Sequence, residues 1–382
     1  MLHRTCLAIV LCCLSRTLAQ PASAQSDSQI PPQAAPVRVD PELQLRPPPK
    51  PGGTKTPEGL VHLDVLVTDA SGMPVSGLER KDFKLLDDLQ EQKIVSFLAS
   101  DGPDQRQAGA TATFQKRQPP VQVILLIDTV NLPFEQVAFV RLQVAKYLEQ
   151  NAGHLAHPTS IFLFSDSGLT VQPRPSIDGT ALAGMLNQIQ PSLRTIRSSQ
   201  GADSELQRFQ LSVNQLISIA ENNVTKSGRK LLIWVGPGWP MLESSNFTFS
   251  GNDQARYFDI ITLLSTRLRE ARIALYSVSS VTLSASAFRY RDYLKGVKSA
   301  NRADTGNLAL KVLVEQSGGR VVNPDNNLTG QINNCIADAD AYYTLSFDPP
   351  KAEHADEYHS LKIKIDKSGL MPRTSTGYYD RP

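Results

Sequence analysis

VQVILLIDTVN, residues Val121 to Asn131, decides the fold. Seven residues with no polar/apolar alternation end in Asp128, and Pro133 then opens an amphipathic stretch running to Gln150. An apolar run of this length suits a strand covered on both faces, as in a parallel sheet between helices. On such sheets the ligand position lies just beyond the carboxyl ends of the strands, where Asp128 falls.

The same alternation continues outward. Strands are predicted at Ser160–Phe164, Lys230–Val235, Arg272–Val278 and Val321–Val322. Helices are predicted at Ile177–Ile189, Glu205–Asn222, Asp253–Ala271, Leu308–Gln316 and Thr329–Ala339, with Asn131 or Leu132 capping the first helix. Alternating elements imply a doubly wound, mainly parallel sheet with helices on both faces, here over residues 119–340. His154 and His157 read as surface residues of a loop with Gly153 and Pro158.

The flanks have a different period. Val61, Leu63, Val65 and Val67 alternate with polar residues, broken only by Leu66. Phe83–Leu86 and Lys93–Leu98 read as a hairpin around Asp87-Asp88. Ala341, Tyr343, Leu345 and Phe347 alternate in the same way, as do Leu361, Ile363 and Ile365. Each set is too small to be stable alone. Residues 58–105 and 341–382 are therefore expected to form one small β-sandwich, with the α/β domain inserted between its halves and residues 100–120 as connector.

The chain has 382 residues and a formal net charge of +2, which points to neither nucleic acid nor acidic partners. Residues 1–24 carry a weakly basic start, a short apolar core and Ala22-Ser23-Ala24, the pattern of an export signal. The apolar run is far below the roughly 20 residues a membrane span needs, and no other stretch qualifies. The expected location is exported: periplasmic, cell-envelope or extracellular. Residues 25–57 hold nine prolines from Pro31 to Pro57 and read as a disordered tether. Beyond the signal only Cys335 remains, on the apolar stripe of the last helix, where it reads as a buried small hydrophobe.

The order of elements resembles a von Willebrand factor A domain. The resemblance is carried by the strand ending in Asp128, by LALKVLVEQSGGRVV, and by DADAYYTLSF. The flanks VTDASGMPVSGLERKDFKLLDDLQEQKIVSF and GLMPRTSTGYYDRP resemble the VWFA-related family of exported acidobacterial-type proteins. The resemblance implies a metal-ion-dependent adhesion site built from Asp-x-Ser-x-Ser, a Thr on a later loop and an Asp after the fourth strand. Here Val130 and Leu132 stand at the hydroxyl positions, and Gly236-Pro237-Gly238 follows the fourth strand. A hard cation such as Mg²⁺ or Ca²⁺ needs several oxygens. Asp128, Asn131 and Asp166 are the residues that could rebuild such a site; otherwise Asp128 caps the N–H groups that start the next helix.

Two loops are expected to crown that face. One carries Trp239 and Met241; the other, Thr282–Gly306, carries Phe288, Tyr290 and Arg291 among further cations. Aromatics with Arg are typical anchors of protein interfaces, although they could equally pack the loop onto the body. Signatures of zinc proteases, serine hydrolases and phosphate-binding loops are missing. The sequence points to an exported, non-enzymatic protein-binding module for adhesion or assembly, with no cofactor and no nucleic acid. The alternatives are a Mg²⁺- or Ca²⁺-dependent adhesion module at Asp128 and a hydrolase of unfamiliar type.

Overall fold

The computed structural model describes residues 59–100, 120–172, 174–189, 196, 201–239, 241–242, 250–281 and 285–380. The expected signal, the whole of the tether and nearly all of the connector lie outside these residues. Four strands come first: β1 (Val61–Thr68), β2 (Phe83–Asp87), β3 (Gln90–Gln92) and β4 (Ile94–Ser100). Then follow β5 (Gln122–Asp128), α1 (Phe134–Leu148), β6 (His154–Ser165), β7 (Gly168–Val171), β8 (Ser176–Asp178), α2 (Gly179–Gln188), α3 (Ala202–Glu221), β9 (Lys230–Val235) and α4 (Gly251–Glu270). After these come β10 (Ile273–Val278), α5 (Leu310–Gln316), β11 (Arg320–Val321) and α6 (Leu328–Ile336). Four strands close the chain: β12 (Tyr342–Phe347), β13 (Glu357–Ile365), β14 (Met371–Arg373) and β15 (Gly377–Asp380).

The middle elements build one sheet in the order β11-β10-β9-β5-β6-β7, with β8 pairing β6 as well. Counting this sheet's strands along that path by their place in the chain, the order is the doubly wound 3-2-1-4-5-6. On that path only the end strand, β7, runs antiparallel, and β8 beside it also pairs β6 antiparallel. β9 and β10 are buried along their whole length because helices cover both faces. The side chains of β5 divide with period two. Ile124 and Leu126 join a core with α3, α4 and α5, whereas Val123, Leu125 and Ile127 join a core with α1, α2 and α6.

The outer strands form two antiparallel sheets, β14-β1-β12-β4 and β15-β13-β2-β3. Leu63, Val65, Phe83, Leu85, Tyr343, Leu345, Phe347 and Ile363 fill the space between them. Every sheet mixes strands from both flanks, so the sandwich is a joint product of residues 61–100 and 342–380. One pairing differs from expectation. β2 turns through Asp88 and Leu89, both at positive φ, onto the short β3, while β4 crosses to pair with β12. A two-residue turn with positive φ at both positions favours a tight hairpin, and it leaves β4 free for the other sheet.

The sandwich docks on the amino ends of the parallel strands. Asp64 of β1 accepts from Arg272 Nε, just before β10, at 3.1 Å, and a second Arg272 nitrogen also bonds it. Thr344 Oγ1 donates to Asp64 Oδ1 at 2.9 Å. Arg373 pairs with the buried Asp338 and donates to Gly318 O at 3.1 Å, just before β11. The outward face of β1 therefore meets protein at Asp64, and the apolar Leu66 on that same face is buried. The carboxyl ends of the strands, with Asp128, lie at the opposite side of the sheet.

Several local expectations shift. α1 starts at Phe134 with Pro133 as its cap residue, and no side chain of Asn131 or Leu132 caps it. His154 and His157 belong to β6; His157 is buried, with Nε2 3.4 Å from Asp340 Oδ1. The first half of β6 alternates between exposed and buried, but with His157 at a buried position and Pro158 beside it the residue types do not spell a strand, and its pairing with β8 is irregular between His154 and Thr159. Cys335 is buried on α6, and burial pushes its thiol up to about 12. Among the described residues no helix is long and apolar enough to cross a membrane.

Candidate functional site

Asp128 closes β5 with 0% exposure. The backbone N–H groups of Val130 and Asn131 donate to Oδ1 at 3.1 and 3.0 Å. Asn131 Nδ2 and Trp234 Nε1 donate to Oδ2, each at 2.8 Å. Four donors thus surround one carboxylate. Burial pushes the carboxyl above its usual range, outweighing the hydrogen bonds that pull it down. The chain leaving β9 passes close by. Gly236 sits at φ 153°, and a Cβ there would lie 2.9 Å from Asp128 Cβ.

This arrangement does not fit a resident cation. A metal shared by Asp128 and Asn131 needs both to present oxygen, yet the amide turns its nitrogen to Asp128 and, at 3.0 Å, to Ser212 Oγ. Turning the amide round would set two oxygens 2.8 Å apart. Asn131 Oδ1 points elsewhere, buried and without a partner. Val130 and Leu132 are anchored in the two opposing cores, which explains why hydroxyls are absent there. Asp166 is engaged otherwise: its Oδ2 accepts from Ile196 N–H at 2.9 Å.

The expected aromatic anchors divide. Trp239 is a correction: it is 3% exposed, donates from Nε1 to Leu308 O at 2.9 Å, and meets Trp234 edge-on at 5.3 Å. Gly238 at φ 76° turns the loop inward, and its missing Cβ leaves room for Leu310. Met241 is half-buried. Tyr290 is half-buried with the Lys311 ammonium 5.7 Å above its ring, and Arg291 is exposed. The side chain of Phe288 lies outside the described residues.

The insertion does not simply crown the strand ends. It descends along the flank, where Val297 N–H donates to Tyr379 OH at 3.2 Å and that hydroxyl donates back to Val297 O at 3.0 Å. Sequence reasoning missed Phe134, which is 72% exposed in the first turn of α1, beside the Asp128 end of β5. Phe134 falls three residues before Val137 on the apolar stripe, so periodicity assigns it to the core; in space the helix has already passed the end of the sheet.

A second cluster joins residues far apart in the chain. Asp87, Asp88 and His359 bring one ligand atom each within 4.8 Å of one another, the set among the described residues that could hold a metal through His and carboxylate groups. His359 Nδ1 lies 3.2 Å from Asp87 Oδ1. Tyr378 donates to Asp87 Oδ2 at 2.7 Å, and Ser360 donates to Asp88 Oδ1 through its N–H and hydroxyl. Burial pushes the Asp87 carboxyl up. As they stand, these contacts lock the β2–β3 turn onto β13 and β15.

No known family profile matches the chain, and no curated protein does. Among solved structures it is similar to the manganese-loaded TRAP protein of Plasmodium vivax, at 11% identity and a TM-score of 0.32, over 67% of this chain and 93% of that one. It is similar to the pilus adhesin SpaC of Lactobacillus rhamnosus GG in its open conformation, at 9% identity and 0.34, over 80% of this chain and 48% of the adhesin. The VWA domain of SpRpn10 matches at 11% identity and 0.28, over 61% and 99%. The chain thus spans about half of the adhesin's length. The strand order and the two helical layers, rather than these likenesses, define the class: a von Willebrand A-like α/β domain joined to a β-sandwich.

Proposed function

We propose that this chain is an exported, non-enzymatic module that binds a protein partner in adhesion or assembly, through the carboxyl-end rim of its parallel sheet. One observation carries this. The sandwich covers the amino ends of the strands through Asp64, Arg272 and Arg373, which leaves the rim uncovered by it, with Phe134 exposed there. Large exposed aromatics at the edge of a rigid sheet are favourable interface anchors. The hydrogen-bonded Asp128 supports partner binding that needs no cation.

The test is site-specific photocrosslinking. A crosslinking amino acid at Phe134 is expected to capture the partner from the source envelope fraction. The same probe at Val95, exposed on β4 of the sandwich, is expected to capture none. Capture at Val95 and not at Phe134 would sink the proposal. A hydrolase screen of the same preparation is expected to show no turnover.

A further inference from the structure

Between Arg289 and Arg302 the chain carries Arg289, Arg291, Lys295, Lys298 and Arg302 against one acid, Asp292. This short segment has a charge of +4 within a chain of +2, so all other residues together are net negative by −2. All five cations are exposed. Among the described residues none of them has a carboxylate within ion-pair distance. Two acids outside the segment feel its cations: Glu315 is drawn on by Arg291 and Asp88 by Lys298.

The segment is also fixed in place. Val297 is buried and bonded both ways to the Tyr379 hydroxyl. Gly296 lies under the Tyr358 ring, where a Cβ would come within 2.0 Å, and Gly306 lies under the Tyr293 ring, at 2.4 Å. Ala303 is buried. Tyr290 holds a sixth cation, Lys311 of α5, over its ring. The result is a basic strap clamped near its start to α5, through Tyr290, and at its middle to β13 and β15, through Gly296 and Val297. Cations on a fixed backbone lose little freedom on binding, so more of their attraction appears as affinity.

We infer that this strap docks a carboxylate-rich protein surface. Its Arg and Tyr content matches protein interfaces, and Arg pairs with carboxylates through two parallel N–H bonds. A uniform polyanion would meet Asp292 in the middle of the strap and Glu315 behind it, whereas a folded acidic surface can place its carboxylates to either side. The strap lies on the flank beside α5, β13 and β15 rather than at the rim, so the inference goes beyond the rim reading and names the chemistry of a partner docked there.

The probe is a fluorescent peptide of glutamates spaced by glycine and serine, so that its carboxylates can fall to either side of Asp292, titrated into the chain without its leader, with heparin and phosphatidylserine vesicles alongside. Wild type is expected to bind the peptide, more weakly as salt rises. The triple variant R289E/R291E/K295E is expected to lose about tenfold or more, because like charges now face each other. A control with the same charge change on exposed sandwich lysines, K351E/K362E/K364E, is expected to change binding by less than about twofold. Equal loss in the control, or heparin or vesicles bound as tightly as the peptide, would overturn the inference. Both variants are checked by melting temperature; if the triple variant is unfolded, R291E alone is expected to weaken binding by about threefold, and no change there overturns the inference. If Phe134 still crosslinks the partner while strap reversal leaves that partner's affinity unchanged, the strap inference fails and the rim reading stands.

Discussion

Asp128 shows what a buried carboxylate at a strand end does when donors surround it. Its four donors come from a turn, an amide and an indole, and none of them is compatible with a bound cation on the same lone pair. Asp128→Asn keeps the shape but turns an NH₂ group toward the Trp234 and Asn131 donors. It should destabilise the fold by about 1–3 kcal/mol, the cost of leaving buried groups unpaired, as measured by urea denaturation. The pH sign follows from the raised carboxyl. The folded chain holds this proton more tightly than the unfolded one, whose carboxyl titrates near about 3.9. The linked stability is complete below that value and is lost as pH rises through the folded one. Wild type should therefore lose stability relative to Asp128→Ala as pH rises above about 4, and a constant difference would refute the shift. Mg²⁺, Mn²⁺ or Ca²⁺ at millimolar concentration should move the melting temperature by less than about 1 °C; a rise that disappears in Asp128→Ala would reveal a cation site. The scarcity of oxygen ligands around Asp128 was legible in Val130, Leu132 and Gly236. The fate of Trp239 was not, because an aromatic after Gly-Pro-Gly looks like a surface loop until Gly238 is seen to turn it inward.

Elements with a clean period were legible. β1 and β12 follow a two-residue pattern set by one apolar face on the sandwich core, and β9 and β10 follow unbroken apolar runs set by burial on both faces. The first half of β6 was hidden by His154, His157 and Pro158, residue types that signal a loop, although His157 is buried toward Asp340. The insertion was hidden for a different reason. Its route depends on Tyr358 and Tyr379, contacts that no local pattern encodes. Tyr379→Phe removes both hydroxyl bonds to Val297 and should cost about 1 kcal/mol. Hydrogen exchange should rise in the peptide spanning residues 294–303 and stay unchanged in β9; unchanged exchange in the strap would show that the hydroxyl does not hold it. Asp87, Asp88 and His359 were equally illegible as a group, since only the pairing of β2 with β13 brings them together.

At the scale of the whole molecule, the two flanks are interdependent. β12 lies between β1 and β4, and β13 lies between β2 and β15. Deleting residues 341–382 strips β1 and β4 of their shared partner and β2 of β13, so β1–β4 should unfold. Limited proteolysis checks this: cleavage should appear within residues 61–100 while the central domain persists. A protected N-terminal fragment would show that the sandwich half is self-sufficient. The alternation in Tyr343, Leu345 and Phe347 made the partnership legible, because half-buried strands need a covered face. Where the sandwich sits was not legible, since Asp64, Arg272 and Arg373 carry no motif.

The place of β12 also sets an order in time. Val61 pairs with Phe347, at opposite ends of the described chain. Contacts of such long sequence separation form late. During synthesis β5 to α6 can close into the α/β domain while β1 and β4 still wait with open edges. Only when Tyr342–Phe347 arrives do the earliest strands become unavailable to other chains and to proteases. The sandwich thus acts as a completion check, and a product that stops short of it remains marked by its own first strands.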